Sequence, residues 1–183
     1  MRKLAVIDLC ICAIGIALHI ILEMFCTIRI GNDLKITLTA LPFIVIAFLC
    51  GPVEGLITGL VGTFLSQLLT YGITVTTVLW ILPYAVQALI AGLIFRRFQR
   101  RINIKTVAVS VFISGLVSVI ITWIVSYIDG VVIFKYMTLE VLVALIPIRL
   151  VVWVIVSVAY SLVTIAVTKA LFKSCPAGIR EQN

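Results

Sequence analysis

Apolar residues run through this chain with few interruptions, and the interruptions mark where it turns. One bilayer crossing takes roughly 20 apolar residues. On that measure the pattern predicts helices at about 4–26, 36–50, 53–71, 78–95, 106–128 and 139–172. Gly51-Pro52 predicts a tight turn between the second and third helices. Pro42 falls in the first turns of the second helix, where a missing N–H costs least. Ahead of it Ile28, Ile30, Leu34 and Ile36 alternate with polar residues, which predicts an extended segment. The last stretch is longer than one crossing needs. Either it begins with an amphipathic turn near Thr138–Glu140 or it tilts, and Pro147 offers a bend just above Arg149. Gly55, Gly59 and Gly62 share one side of the third helix, a spacing that lets helix backbones approach closely in lipid. With no internal repeat and no low-complexity linker, residues 1–183 read as one all-α integral membrane domain of six transmembrane helices.

Composition narrows the functions available. The chain is 63% hydrophobic and 11% charged, with a mean hydropathy of +1.32, far from soluble domains. Connections this short leave no room for a nucleotide-binding domain. The first 25 residues, MRKLAVIDLCICAIGIALHIILEMF, open like a secretory signal, but no small-x-small cleavage site follows and the apolar run is too long. They read as the first spanning helix. Cys10, Cys12, Cys26, Cys50 and Cys175 are unpaired in spacing, and Cys10 and Cys12 would point to different sides of a helix, so they read as apolar filler and no metal site.

The net charge of +7 follows a membrane rule and is no nucleic-acid signal. One side of the membrane receives Arg2, Lys3, Arg96, Arg97, Arg100, Arg101, Lys105, Lys169, Lys173 and Arg180; the other receives Arg29, Lys35 and Lys135. That bias places both termini and the FRRFQRRINIK loop in the cytoplasm. The loops at about 27–35, 71–77 and 129–138 then face outward.

Polar side chains inside such a chain are costly and mark its chemistry. Between Ser66 and Gly92 lie Gln67, Tyr71, Trp80, Tyr84 and Gln87; the last three are stacked on one helix face by steps of four and three. This stripe reads as a place where a small molecule is held, against an alternative of interhelical hydrogen bonds for the glutamines and an interfacial belt for Tyr71 and Tyr127. Thr63, Gln67 and Tyr71 share a line, as do Trp123 and Tyr127. Arg149 lies about ten residues below the outer end of its helix, roughly 15 Å deep. At such depth an arginine costs roughly 2.5–3.5 kcal/mol on insertion scales, so it requires a partner. An internal carboxylate such as Glu23 and a ligand carboxylate both fit. Trp153, Ser157 and Tyr160 continue its face.

The first helix has two faces. Asp8, Cys12, His19 and Glu23 follow one, which should turn inward; Ala13 and Ala17 lie away from it, free to meet another helix. No HExxH, GxSxG, Walker or paired-cysteine motif is present, so no catalytic residue is assigned. A solitary proton-coupled carrier using Asp8, His19 and Glu23 is the rival reading, though six helices without an inverted repeat suit it poorly.

ITLTALPFIVIAFLCGPVEGLITGLVG followed by YGITVTTVLWILPYAVQALIAGLIFRR resembles the substrate-binding S-components of energy-coupling-factor (ECF) vitamin transporters, over nearly the whole chain. The most specific parts are LP…GP-x-x-G at Leu41–Gly55 and T-x-x-LWILP at Thr76–Pro83, and the folate-transporter-like subgroup is the nearest match. The resemblance implies an S-component-like bundle in a bacterial plasma membrane. It implies high-affinity capture of a vitamin from outside, without a cofactor. Its partners would be a transmembrane coupling subunit and two ATPase subunits, with Ala13 and Ala17 matching the AxxxA motif that contacts the coupling subunit. Mapped onto this sequence, the family pocket points to Lys35, Tyr71, Trp80, Tyr84, Gln87, Trp123, Tyr127 and Arg149, beside Gln67 and Trp153 from the faces above. Folate is the vitamin preferred on this resemblance; where folate-type members carry an acidic residue, Thr63–Gln67 has none, which keeps pantothenate and a pyrimidine or pyridine precursor open.

Overall fold

A computed structural model describes residues 6–30, 34–98 and 103–174 of the chain, with side chains 29–36 and 172–174 outside the described set. Arg2, Lys3, Arg100, Arg101, Cys175 and Arg180 therefore lie outside it, as do the side chains of Arg29, Lys35 and Lys173. The elements are α1 (Val6–Phe25), β1 (Ile28–Ile30), β2 (Leu34–Ile36), α2 (Leu41–Leu49), α3 (Pro52–Tyr71), α4 (Thr77–Arg97), α5 (Ile104–Tyr127) with a widened π-type continuation (Ile128–Ile133), α6 (Leu139–Ala144) and α7 (Ile146–Ser174). The alternating segment near residue 30 forms an antiparallel hairpin, pairing Ile28 with Ile36 and Ile30 with Leu34.

Five helical stretches are long and apolar enough to cross a membrane: Val6–Phe25, Pro52–Tyr71, Thr77–Arg97, Ile104–Ile133 and Leu139–Leu171. The second of the six predicted helices is corrected. Residues 34–36 belong to the hairpin, and Pro42 can occupy only the first turn of a helix, so α2 begins at Leu41 and has nine residues. At 1.5 Å per residue it is about 13 Å long, half a crossing. The rest of its path is a non-helical lead-in from Thr37 that turns at Thr39–Ala40. The final stretch also divides, at Leu145, because Pro147 has no N–H to give Val143 and its ring displaces that carbonyl.

Close contacts fix the directions. Gly51 has φ 141°, a value open to glycine, and Pro52 starts α3 at once, so α2 and α3 reverse in two residues. A Cβ on Gly55 would sit 2.5 Å from Ala47 Cβ on α2, and one on Gly59 would sit 3.0 Å from Ala85 Cα on α4. Only glycine allows these backbones to meet, and in lipid such contact replaces the hydrophobic effect between helices. His19 reaches Ser66, which sets α1 parallel to α3. Arg149 reaches Ser126 while Trp153 covers Gly115, which sets α7 antiparallel to α5. Six passes in alternation return Val6 and Ser174 to the same end, opposite the hairpin.

α2 is the centre. Every one of its residues is buried, and it packs against α1, α3, α4 and α7. Phe48 stacks on Phe95 of α4 with ring centres 4.2 Å apart. Around it, Ile14, Leu18, Leu69, Val151 and Ile155 are exposed. On a membrane protein these are lipid-facing and need no cover.

Candidate functional site

Because α2 starts late, the half of the bundle toward the hairpin is built differently from the other. Tyr160 hydrogen-bonds the backbone at Thr37 and Ala40, and it lies 14 residues into α7, roughly 20 Å along its axis. At that level the central column passes from α2 into the Thr37–Ala40 lead-in, which turns at Thr39–Ala40. The walls there are the outer halves of α1, α3, α4, α5 and α7.

Most residues singled out from the sequence lie on those walls. On α4, Gln87 is buried and Trp80 and Tyr84 are half-buried; Tyr84 packs on the core and meets the His19 ring edge-on at 6.1 Å. Gln67 on α3 is half-buried, while Tyr71 and Tyr127 are exposed at the hairpin end of α3 and α5, as interfacial tyrosines are. Lys35 falls in β2, its side chain outside the described ones.

Arg149 lies ten residues into the apolar stretch Leu139–Leu171. The break at Leu145 starts α7 only three residues before it, and its Nη1 donates to Ser126 Oγ at 3.2 Å, one residue before the end of α5. One turn further in, Trp153 lies edge-on to Phe112, 5.6 Å between centres, in space left by Gly115; a Cβ there would fall 2.9 Å from its Nε1. The indole Nε1 of Trp153 and that of Trp123 are buried and have no hydrogen-bond acceptor. An unmade buried hydrogen bond costs about 1–3 kcal/mol. Both donors lie on the packed pair α5 and α7.

Sequence reasoning missed the hydroxyl line beside them. Ser110, Ser114, Ser118, Thr122 and Ser126 recur every fourth residue on α5, and all but Thr122 are buried. Ser110, Ser114 and Thr122 donate to their own helix at Thr106, Val111 and Ser118, leaving oxygen lone pairs as acceptors. Ser157, Ser161, Thr164 and Thr168 line the facing side of α7, all buried. The four-residue period was there to be read in an otherwise apolar segment.

On α1, Asp8, His19 and Glu23 are buried, whereas Ala13 and Ala17 are exposed on the opposite side. A cavity of about 300 Å³ at the hairpin end of α1 and α3 is lined by Glu23, Met24, Thr27, Leu69 and Thr70. None of the nine predicted ligand-binding residues whose side chains are described lines it. Among the described residues, no cluster of His, Cys, Asp or Glu could hold a metal ion.

A bundle of membrane-length helices with polar and aromatic groups gathered at one end is that of a multi-pass binding subunit. Residues 3–171 match the family model for the ECF-type riboflavin transporter S component, and the chain belongs to that family. The structure is similar to a solved S component of a bacterial ECF transporter, with TM-score 0.69 and 22% identity, over 90% of this chain and 96% of that one. That likeness speaks for the fold. No curated protein matches the chain in sequence. The protein is thus a substrate-binding transporter subunit in the membrane and not an enzyme, with a vitamin and an energising ECF module as its partners. The folate preference is not supported, since the matching family is the riboflavin type.

Proposed function

We propose that this subunit captures riboflavin from outside the cell and passes it to an ATP-driven ECF importer. The observation carrying this reading is the match to the riboflavin-type family along residues 3–171. The site's chemistry supports it. Riboflavin joins a flat isoalloxazine ring, rich in carbonyl and ring-nitrogen acceptors, to a ribityl chain of hydroxyls, and it carries no carboxylate. Trp80 and Tyr84 offer faces for the ring. The unpaired Nε1 groups of Trp123 and Trp153 offer donors, and Gln87 offers an amide. Hydroxyls on the outer halves of α5 and α7, those of Ser118, Thr122, Ser126 and Ser157, offer partners for the ribityl chain.

The exposed Ala13/Ala17 side of α1 is the docking face for the transmembrane coupling subunit in this reading, with two ATPase subunits beneath it. Exposed Arg96, Arg97, Lys105 and Lys169 lie at the end opposite the hairpin, which supports a cytoplasmic position for that end and both termini. The test is quenching of riboflavin fluorescence by the purified protein in nanodiscs, with folate and pantothenate as competitors. Riboflavin binds and neither competitor displaces it. Tighter folate binding, or no flavin binding, ends the proposal.

A further inference from the structure

α1 and α3 meet closely at His19 and Ser66, and one turn further out they leave a crevice between them. It has a volume of about 300 Å³ and is lined by Glu23, Met24, Thr27, Leu69 and Thr70, at the lower end of the range for ligand sites, ~300–1,000 Å³. Helix ends fix its level in the membrane. Glu23 lies two residues before the end of α1, and Leu69 and Thr70 stand in the last turn of α3 beside the exposed Tyr71. Hydrocarbon gives way to headgroups at that depth. Met24 is exposed and follows Ala17 by seven residues, on the side of α1 turned away from the buried Asp8 and His19. The crevice therefore reaches lipid along Met24, and Leu69 is exposed beside it.

Two groups give the crevice its chemistry, and both are acceptors. Glu23 is only 7% exposed, and a carboxylate buried in a membrane protein is kept where donors or a cation meet it. It already interacts within the chain, and a carboxylate accepts at about four positions. Thr37 Oγ1 spends its proton on Thr39 Oγ1, so Thr27 Oγ1 donates to Thr37 Oγ1 at 3.2 Å and keeps its lone pairs as acceptors. An anion and a neutral acceptor together select a cation that carries several N–H groups. Thr70 adds a hydroxyl, while Met24 and Leu69 add apolar surface on the lipid side. We propose that the crevice binds a phospholipid whose headgroup ends in a primary ammonium. The ammonium donates to Glu23 and Thr27, the Thr70 hydroxyl serves the phosphate, and the glycerol and first chain carbons lie on Met24 and Leu69. A choline headgroup has no N–H to donate. A glycerol headgroup sets its phosphate charge against Glu23 with no cation between them.

The experiment is native mass spectrometry of the full chain released from nanodiscs that hold equal amounts of phosphatidylethanolamine, phosphatidylcholine and phosphatidylglycerol with the same acyl chains. Wild type retains one phosphatidylethanolamine at least about tenfold over either of the others, the scale of one charge-assisted hydrogen bond. Glu23→Gln keeps the shape and loses the preference. Thr27→Val lowers it severalfold, and it carries the test alone if Glu23→Gln does not fold. Glu54→Gln, at the opposite end of α3, keeps the wild-type preference. Equal retention of the three lipids by wild type overturns the proposal, as does an undiminished preference in Glu23→Gln or Thr27→Val. A loss in Glu54→Gln equal to that in Glu23→Gln assigns the preference to net charge and overturns the site. Release of the retained lipid by millimolar ethanolamine makes this a site for soluble amines and overturns the lipid assignment. No vitamin enters the experiment, so its outcome is independent of the riboflavin reading.

Discussion

The α1–α2–α3 corner and the α5–α7 seam are both packed and both polar, yet they treat their polar atoms in opposite ways. In the corner, His19, Ser66, Thr39 and Thr58 are fully or almost fully buried and hydrogen-bonded, while Gly55 and Gly59 bring backbones into contact. Thr63 Oγ1 is its one unpaired atom among those described. Along the seam, Trp123 Nε1, Trp153 Nε1, Thr164 Oγ1 and Thr168 Oγ1 are all buried without a partner. A membrane protein cannot leave such groups to water. The corner therefore reads as scaffold, finished without a ligand. The seam leaves polar atoms unpaired along its length, and the two indole donors in its outer part are those the proposed ligand would use.

Substitutions can break that contrast, and the largest effect belongs to the scaffold. Gly59→Leu drives a side chain into the Ala85 backbone; no monodisperse folded protein is recovered on size exclusion in detergent, a loss beyond about 3 kcal/mol. Next is Ala17→Trp, on an exposed face of α1. Riboflavin binding and the melting temperature stay as in wild type, while uptake by cells carrying the full transporter falls to background. Unchanged uptake would remove this face from the docking reading. Trp153→Phe comes third: it deletes an unpaired donor and keeps one aromatic ring in a smaller side chain. Relief of the unmade bond and the space left by the smaller ring oppose one another, so stability changes by less than about 1.5 kcal/mol, whereas riboflavin affinity falls about tenfold, near 1.4 kcal/mol. Equal affinity would return Trp153 to packing alone. The smallest effect is that of Ser126→Ala, which costs Arg149 one hydrogen bond and lowers stability by about 1 kcal/mol in a thermal melt.

Prolines and glycines made much of the architecture legible. Pro42, Gly51-Pro52 and Pro147 act through what a missing N–H or a missing Cβ forbids, and they mark the start of α2, the α2–α3 reversal and the α6–α7 break. The length of α2 was not legible, because ITLTALPFIVIAFLC is apolar throughout and its period does not separate strand from helix. The inward face of α1 followed from the cost of Asp8, His19 and Glu23 in lipid. The unpaired indoles could not be foreseen: whether a donor finds an acceptor depends on the distance between helices 30 residues apart in sequence. Nor could the vitamin, since LWILP and GPVEG report helix packing and carry no ligand chemistry.

A nine-residue helix buried on all sides also constrains how the polypeptide enters the bilayer during synthesis. α2 is too short to hold a position in lipid as an independent segment, so it must be threaded in as one arm of a helical hairpin with α3, folded about Gly51-Pro52. The integration machinery thus handles at least two helices together at this point, and a ribosome-bound intermediate truncated before α3 would leave residues 41–49 accessible to a membrane-impermeant label.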